Sequence, residues 1–381
     1  MELTITLYHD YSMVKQKKIR EIKPMSHYTF EIIKKSKKTF ARAGIIHTKN
    51  GKIETPIFMP VGTQASVKSL TPHQIRQTEA QIILSNTYHL ALRPGADVIE
   101  SFGGLHKFMQ WDKPILTDSG GYQVFSLSQR RKIKPEGVTF QSHIDGKKIT
   151  FTPSSVIDLQ RQFNSDIMMP LDICTPYPST EKDTLRDMLQ THQWEKEAFE
   201  YWSQKPNDQW LFAIVQGGMH KELRKQSAEY LSSLDFPGYA LGGLSVGEPK
   251  ELMEELIAFS APLLPEDKPR YVMGLGLPEN LKFAINQGVD MFDCVAPTRL
   301  ARHGHIFTEG GHLSIKKECH KWDKAPLVAT CSCYTCTHFS RAYLRHLFIA
   351  KEMLACTLLS IHNIHFLVQF VKKIREEILN S

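Results

Sequence analysis

Seven short apolar runs recur through the middle of this 381-residue chain, and amphipathic stretches separate most of them. The runs are QIILS (81–85), KPILT (113–117), IMMPL (167–171), LFAIV (211–215), YALGG (239–243), YVMGL (271–275) and VDMF (289–292). Helical spacing of apolar residues falls between several of them, at roughly 154–164, 181–204, 219–233, 249–261 and 278–287. Alternation at this interval predicts βα units, because parallel neighbours need a crossover and a helix supplies it. Seven or eight such units in one domain favour an α/β chain closed into a (β/α)8 TIM barrel over an open sheet.

The flanks read differently. FARAGIIHTKNGKIETPIFMP (40–60) reads as two strands around Asn50-Gly51, an N-terminal β-hairpin region. VTFQSHIDGKKITF (138–151) reads as a hairpin inserted into the barrel series and turning at Asp145-Gly146. From about residue 315 the composition shifts to cysteine, histidine and lysine, and a helix pattern over roughly 362–379 ends the chain. The division expected is an extension (1–27), a barrel with its inserted hairpin (28–314), and a C-terminal unit with the final helix (315–381). Residues 1–27 carry no motif, and Met25 offers an alternative start, so residues 1–24 are expected to be dispensable for chemistry.

Charge is placed unevenly. Lys and Arg outnumber Asp and Glu by ten to four in residues 1–42 and by ten to five in residues 315–381, on a net charge of +7. The stretch between is net acidic, and basic flanks suit an anionic polymer held at the two ends. Seven cysteines, three of them within residues 331–336, suggest a metal site rather than a disulfide framework, and with it a reducing, cytoplasmic setting. No apolar run approaches about 18 residues, so no membrane-spanning helix is expected.

A barrel places its site at the carboxyl ends of its strands. Those ends are unusual here. KPILT leads into Asp118-Ser119-Gly120-Gly121-Tyr122-Gln123, and IMMPL into Asp172-Ile173-Cys174. LFAIV leads into Gln216-Gly217-Gly218, YAL into Gly242-Gly243-Leu244-Ser245-Val246-Gly247-Glu248, and VDMF into Asp293-Cys294. Gly-Gly pairs let a ligand approach bare backbone, whose N–H and C=O groups can read a heterocycle edge. Asp293 precedes a proline turn and a basic run with Arg299 and Arg302, which suggests chemistry beside a phosphate backbone.

LTDSGGYQVFSL (116–127), PLDICTPYP (170–178), VQGG (215–218), ALGGLSVGEP (240–249) and FDCVAPTR (292–299) together resemble the queuine tRNA-ribosyltransferase, or tRNA-guanine transglycosylase, family of bacterial type. The resemblance runs from about residue 29 to the C-terminus. It implies a (β/α)8 barrel with a zinc-binding subdomain, working as a homodimer. It also implies exchange of the wobble guanine in the anticodon loop of tRNAs with GUN anticodons for a 7-deazaguanine, through a covalent enzyme–tRNA intermediate, in queuosine modification.

By that resemblance Asp293 is the nucleophile and Asp118 the general acid/base. A carboxylate nucleophile suits exchange at a glycosidic carbon without net hydrolysis. Asp172 matches the acceptor for the guanine N–H groups. Gln216 and the backbone of Gly243 and Leu244 complete the edge, and Glu248 holds that peptide. Ser119 belongs to the same set of substrate-binding residues. Tyr122 and Met273 match the residues that sandwich the base, Asn86 one near the ribose, and Arg299 and Arg302 would meet the RNA around a flipped-out base.

Cys331, Cys333 and Cys336 form a thiolate knuckle suited to a closed structural zinc site. On the sequence alone the fourth ligand is open among Cys319, His320, His338 and His362. The resemblance implies His362, placed at the start of the last helix, and one Zn2+ per subunit.

One departure concerns the incoming base. Ser245 replaces the alanine usual in bacterial members, as in eukaryotic ones, while Val246 keeps bulk where eukaryotic members have glycine. Crowding by Val246 favours 7-aminomethyl-7-deazaguanine over queuine.

Three rival readings are weighed. A hydrolase of free nucleosides would need neither basic flanks nor a zinc unit. An archaeal-type transglycosylase would carry further C-terminal RNA-binding domains. A non-catalytic RNA-binding relative would have no need of paired Asp118 and Asp293.

Overall fold

The computed structural model describes residues 28–127 and 131–381. The expected extension, residues 1–27, lies outside them. An antiparallel sheet of β1 (Thr29–Lys35), β2 (Arg42–Thr48) and β3 (Gly51–Thr55) opens the described chain, with Thr48 paired to Gly51 across the expected turn. Residues 40–60 hold three strands, where the sequence suggested two. Pro56 has no N–H to continue the ladder, and Ile57–Pro60 leaves the hairpin to become β4, the first barrel strand.

β5 (Ile83–Asn86) and β6 (Ile115–Asp118) follow. The insertion is a three-stranded sheet of β7 (Arg131–Lys134), β8 (Gly137–Gln141) and β9 (Lys148–Phe151). β7 was not expected. All four of its residues are exposed, so it has no apolar alternation to betray it. β10 (Ile167–Met168), β11 (Trp210–Val215), β12 (Gly238–Leu241), β13 (Arg270–Val272) and β14 (Met291–Cys294) complete the barrel. Its order is β4-β14-β13-β12-β11-β10-β6-β5, and a parallel bridge from Val61 to Leu84 closes the ring. β10 is the shortest of the described strands, and Pro170, two residues past its end, has no N–H to give.

The predicted helices form close to where they were expected: α1 (Pro153–Phe163), α2 (Glu181–Gln204), α3 (Lys221–Ser232), α4 (Lys250–Ser260) and α5 (Pro278–Asn286); α6 (Ala296–Arg302) was not anticipated as a helix. Strand residues alternate between two layers, as pleating requires. In β11, Trp210, Phe212 and Ile214 fill the barrel, while Leu211, Ala213 and Val215 pack outward under the helices. At the amino ends of the strands the buried Arg42 pairs with the buried Asp290 at 2.6 Å, and Asp290 also accepts the Arg270 N–H at 2.7 Å.

A β15 (His305–Thr308) and β16 (Gly311–Ser314) hairpin follows the barrel. The final helix, α7 (Met353–Leu379), begins nine residues before the expected start. Its first turns, MLACTLLSI, are apolar on most sides and so show little helical period. Leu358, Leu359, Ile361 and Ile364 pack with the cysteine-rich unit, and Leu367, Val371, Ile374 and Ile378 pack with the outer layer of the barrel. α7 is long and apolar enough to cross a membrane by length and composition, but two-thirds of that stretch is buried within the fold.

Candidate active site and metal centre

Asp118 ends β6 beside Asn86, which ends β5, and the two are register partners. Asn86 works in two directions. Its Oδ1 accepts the His89 N–H at 2.9 Å and caps the helix Thr87–Leu92, while its Nδ2 donates to Asp118 at 2.6 Å. The Thr87 and Gly120 N–H groups donate to the other Asp118 oxygen at 3.2 and 3.0 Å. Burial nevertheless pushes the Asp118 carboxyl up to about 7. The three hydrogen bonds pull the other way, and the charge of Asp293 adds to the rise.

Asp293 lies in β14 opposite Met59. Tyr271 Oη donates to its Oδ1 at 2.5 Å and the Gly274 N–H to the same oxygen at 2.8 Å. Burial raises this carboxyl as well, with both donors opposing. The Tyr271 hydroxyl is held far above its ordinary value by burial and then by Asp293, so it stays a donor.

Asp172 follows the short β10. Ser119 Oγ donates to one oxygen at 3.1 Å and Gln216 Nε2 to the other at 2.8 Å. Burial lifts Asp172 to about 6, against those two bonds. The Gly-Gly pairs prove to make room for the protein's own groups. A Cβ on Gly120, at φ +77°, would lie 2.6 Å from the Tyr88 Cβ, and one on Gly121 would lie 2.7 Å from Asp172 Oδ1. A Cβ on Gly242 would lie 2.6 Å from Gln216 Nε2. Two cysteines adjoin these acids. Burial, first among the causes, pushes Cys174 up to about 12 and Cys294 up to about 11, so both stay thiols at neutral pH.

In the loop after β12, Glu248 accepts the Ser245 N–H at 2.5 Å and the Val246 N–H at 2.8 Å. This fixes the Leu244–Ser245 peptide and so sets the direction of the Leu244 carbonyl. Tyr122 is exposed at the start of the helix Gly121–Leu127, and Met273 is half-buried directly after β13. Arg299 is exposed on α6, whereas Arg302 is half-buried with its Nη1 left without a hydrogen-bond partner.

Sequence reasoning missed a layer of polar groups behind this site. Glu195 on α2 takes the Ile214 N–H at 3.0 Å, where β10 is too short to supply an acceptor. His192, also on α2, bonds Ser227 on α3 at 2.9 Å, and Ser227 accepts the Gln216 N–H at 3.2 Å. Arg224 on α3 bonds carbonyls of two loops. The signal was present: Arg224, Ser227, Ala228 and Leu231 share one helical stripe, and all are buried. A charged residue within an otherwise small and apolar stripe marks such a position.

Cys331, Cys333, Cys336 and His362 converge, with all four candidate ligand atoms within 4.8 Å of one another. The three sulfurs stand 3.6, 3.6 and 3.2 Å from His362 Nδ1. A tetrahedral site with ordinary metal–sulfur and metal–nitrogen bonds has ligand separations of about 3.5–3.8 Å, so these residues fit one metal ion. His362 Nε2 is bonded to the Phe307 carbonyl at 2.9 Å, which turns Nδ1 toward the thiols. Of the other candidates, His320 pairs with Asp323, His338 bonds the Tyr334 carbonyl and Cys319 is exposed. His362 lies well inside α7 rather than at its start, because the helix begins earlier.

A family model for queuine tRNA-ribosyltransferase matches residues 36–381. A protein named queuine tRNA-ribosyltransferase from Caldanaerobacter subterraneus subsp. tengcongensis is 55% identical over 355 residues, covering 93% of this chain and 94% of its own. One of the same name from Lysinibacillus sphaericus is 51% identical over 349 residues, covering 92% and 91%. A third, from Dictyoglomus turgidum, is 52% identical over 350 residues, covering 92% and 90%. With three acids at the mouth of a closed barrel and a four-ligand metal site under its last helix, the chain belongs to the queuine tRNA-ribosyltransferase family.

Proposed function

We propose that this chain exchanges the wobble guanine of tRNAs with GUN anticodons for a 7-deazaguanine, with Asp293 as nucleophile and Asp118 as general acid/base. The observation that carries the reading is the pair of half-buried acids with different partners. Asp293 is held by Tyr271 and Gly274, both on one oxygen, which leaves Oδ2 to attack the ribose carbon. The C–N bond breaks as the carboxylate adds, and the electron pair leaves with guanine. Asp118, poised at about 7, delivers a proton to the departing base and later takes one from the arriving base. Attack by a thiol is disfavoured, since Cys174 and Cys294 both hold their protons.

Asp172 is the acceptor for the guanine N1–H and exocyclic amino group, with Ser119 and Gln216 holding it. Gln216, Gly243 and Leu244 complete the edge, with Glu248 steadying the loop. Tyr122 and Met273 cover the faces of the base, and Asn86 reaches the ribose side while holding Asp118. Arg299 and Arg302 meet the RNA backbone. The metal is Zn2+, one per subunit, held by Cys331, Cys333, Cys336 and His362 with no open position, and it serves structure. Residues 28–314 act as the catalytic barrel and 315–381 as the zinc unit. A homodimer in a reducing, cytoplasmic setting completes the reading.

The test is to trap the protein with tRNA on a denaturing gel, digest the adduct and locate the ribosylated peptide by mass spectrometry. Ribose on the peptide carrying Asp293 is expected. Ribose on the peptide carrying Asp118 would reverse the two roles, and labelled guanine that never enters tRNA would remove the reading altogether.

A further inference from the structure

Arg224 is buried completely on α3 and takes part in no ion pair among the described residues. Its Nε donates to the Gly218 carbonyl at 2.7 Å, and Nη2 donates to the Gly242 carbonyl at 3.1 Å and the Gly243 carbonyl at 3.4 Å. Nη1 is buried with no partner. A guanidinium removed from water and answered only by carbonyls is a costly arrangement, and a fold keeps such a group where its field is of use.

The geometry indicates where that field falls. Gly217 packs directly on the helix: a Cβ there would lie 2.6 Å from the Arg224 backbone nitrogen. A Cβ on Gly243 would lie 2.5 Å from Gln216 Oε1 and 3.8 Å from Arg224 Nη2. Arg224 therefore sits behind both Gly-Gly turns, with Gln216 and Asp172 on their other side. Each carbonyl it bonds in the second turn belongs to the peptide whose N–H comes next, that of Gly243 and that of Leu244. Guanine presents N–H donors to Asp172, and the remaining atom on that edge is its 6-oxygen, which needs donors.

We infer that Arg224 is a positioning residue for base exchange, tying the Gly217–Gly218 turn to the Gly242–Gly243 turn and polarising the peptide N–H groups that receive the 6-oxygen of the purine. This rests on the base-binding reading above. When the glycosidic bond breaks, its electron pair passes to the purine, and part of that charge resides on the 6-oxygen. A fixed cation one peptide away stabilises the charge without reorganising. Burial lowers Arg224 to about 10, with Glu248 and Cys174 opposing, so the cation persists at neutral pH.

The experiment compares the parent with Arg224→Gln, which keeps a donor and loses the charge, and Arg224→Lys, which keeps the charge. Exchange of labelled guanine into tRNA is competed with 6-thioguanine, which keeps the N–H donors and weakens only the acceptor at position 6. In Arg224→Gln the preference for guanine over 6-thioguanine is expected to fall by at least about tenfold and kcat by about 10²-fold, with tRNA affinity unchanged. Arg224→Lys is expected to keep the preference within about threefold of the parent. A preference in Arg224→Gln equal to the parent's overturns the inference, whatever happens to the rate, because a merely structural role would weaken both bases alike. If Arg224→Gln shows no cooperative thermal transition, Arg224→Lys decides, and a lost preference there overturns the inference. A parent that exchanges no guanine would remove the base-binding reading and this inference together.

Discussion

Asp118 carries three hydrogen bonds that favour its charge, and burial still outweighs them, lifting the carboxyl to about 7. The consequence for stability has a definite sign. An acid whose folded pKa exceeds its unfolded value near 3.8 favours the fold when protonated, and that contribution fades as pH rises through about 7. Asp118→Asn, neutral at every pH, is therefore expected to gain in Tm relative to the parent as pH rises from about 4 to 7, with no further gain above. Thermal melts across that range check it. The same variant should lose activity by on the order of 10²–10⁴-fold if Asp118 is the general acid/base proposed above. Asp293→Asn should form no covalent adduct with tRNA, read on a denaturing gel, while still binding it.

At the scale of elements, the proposed function puts the choice of incoming base on the loop after β12. Ser245 sits at φ +58°, a conformation unfavourable for a residue with a side chain, and the two N–H bonds to Glu248 hold it there. Val246, next in the loop, is half-buried and tethered by its own N–H. Val246→Gly is expected to raise kcat/KM for queuine by about tenfold or more while changing guanine exchange little, as competition between the two bases would measure. The sequence made much of this level legible. Strand ends, loop glycines and acids were readable because barrel strands alternate with helices at a regular interval. The rest was hidden for physical reasons. β4 was merged into the hairpin because nothing in IFMP distinguishes an edge strand from a barrel strand. β7 has no buried face. The first turns of α7 are buried on most sides and so lack amphipathic period. Glu195 and His192 look like solvated helix residues until the helices are seen packed behind the site, whereas the stripe around Arg224 was readable.

At the scale of the molecule, two ends of the barrel do different work. The buried Arg42–Asp290 pair closes the amino end, and Asp290 also supports β13 through the Arg270 N–H. Asp290→Asn leaves Arg42 buried without its counter-charge and should destabilise by roughly 3–5 kcal/mol, while turnover per folded molecule stays unchanged because the acids lie at the opposite end. Denaturant melts beside activity per folded protein check both parts. The metal unit acts on the whole fold through α7. Stripping the ion with a chelator, or Cys333→Ser, is expected to lower Tm by on the order of 10 °C or more, with metal content falling in parallel in elemental analysis. A Cys333→Ser protein that keeps its melting point would show that the clamp is dispensable.

α7 also ties the two termini of the fold together. Arg375 donates to the backbone carbonyls of Gly44 and Thr55, Lys372 reaches Glu79, and Thr357 bonds the Ser69 carbonyl. Strands made early in synthesis thus wait for a helix made more than 300 residues later. During translation the outer face of β4 and the sheet before it stay uncovered until residues 353–379 have left the ribosome. The barrel's outer layer is then completed only when this helix is available, and the partly covered barrel is the form a chaperone would meet.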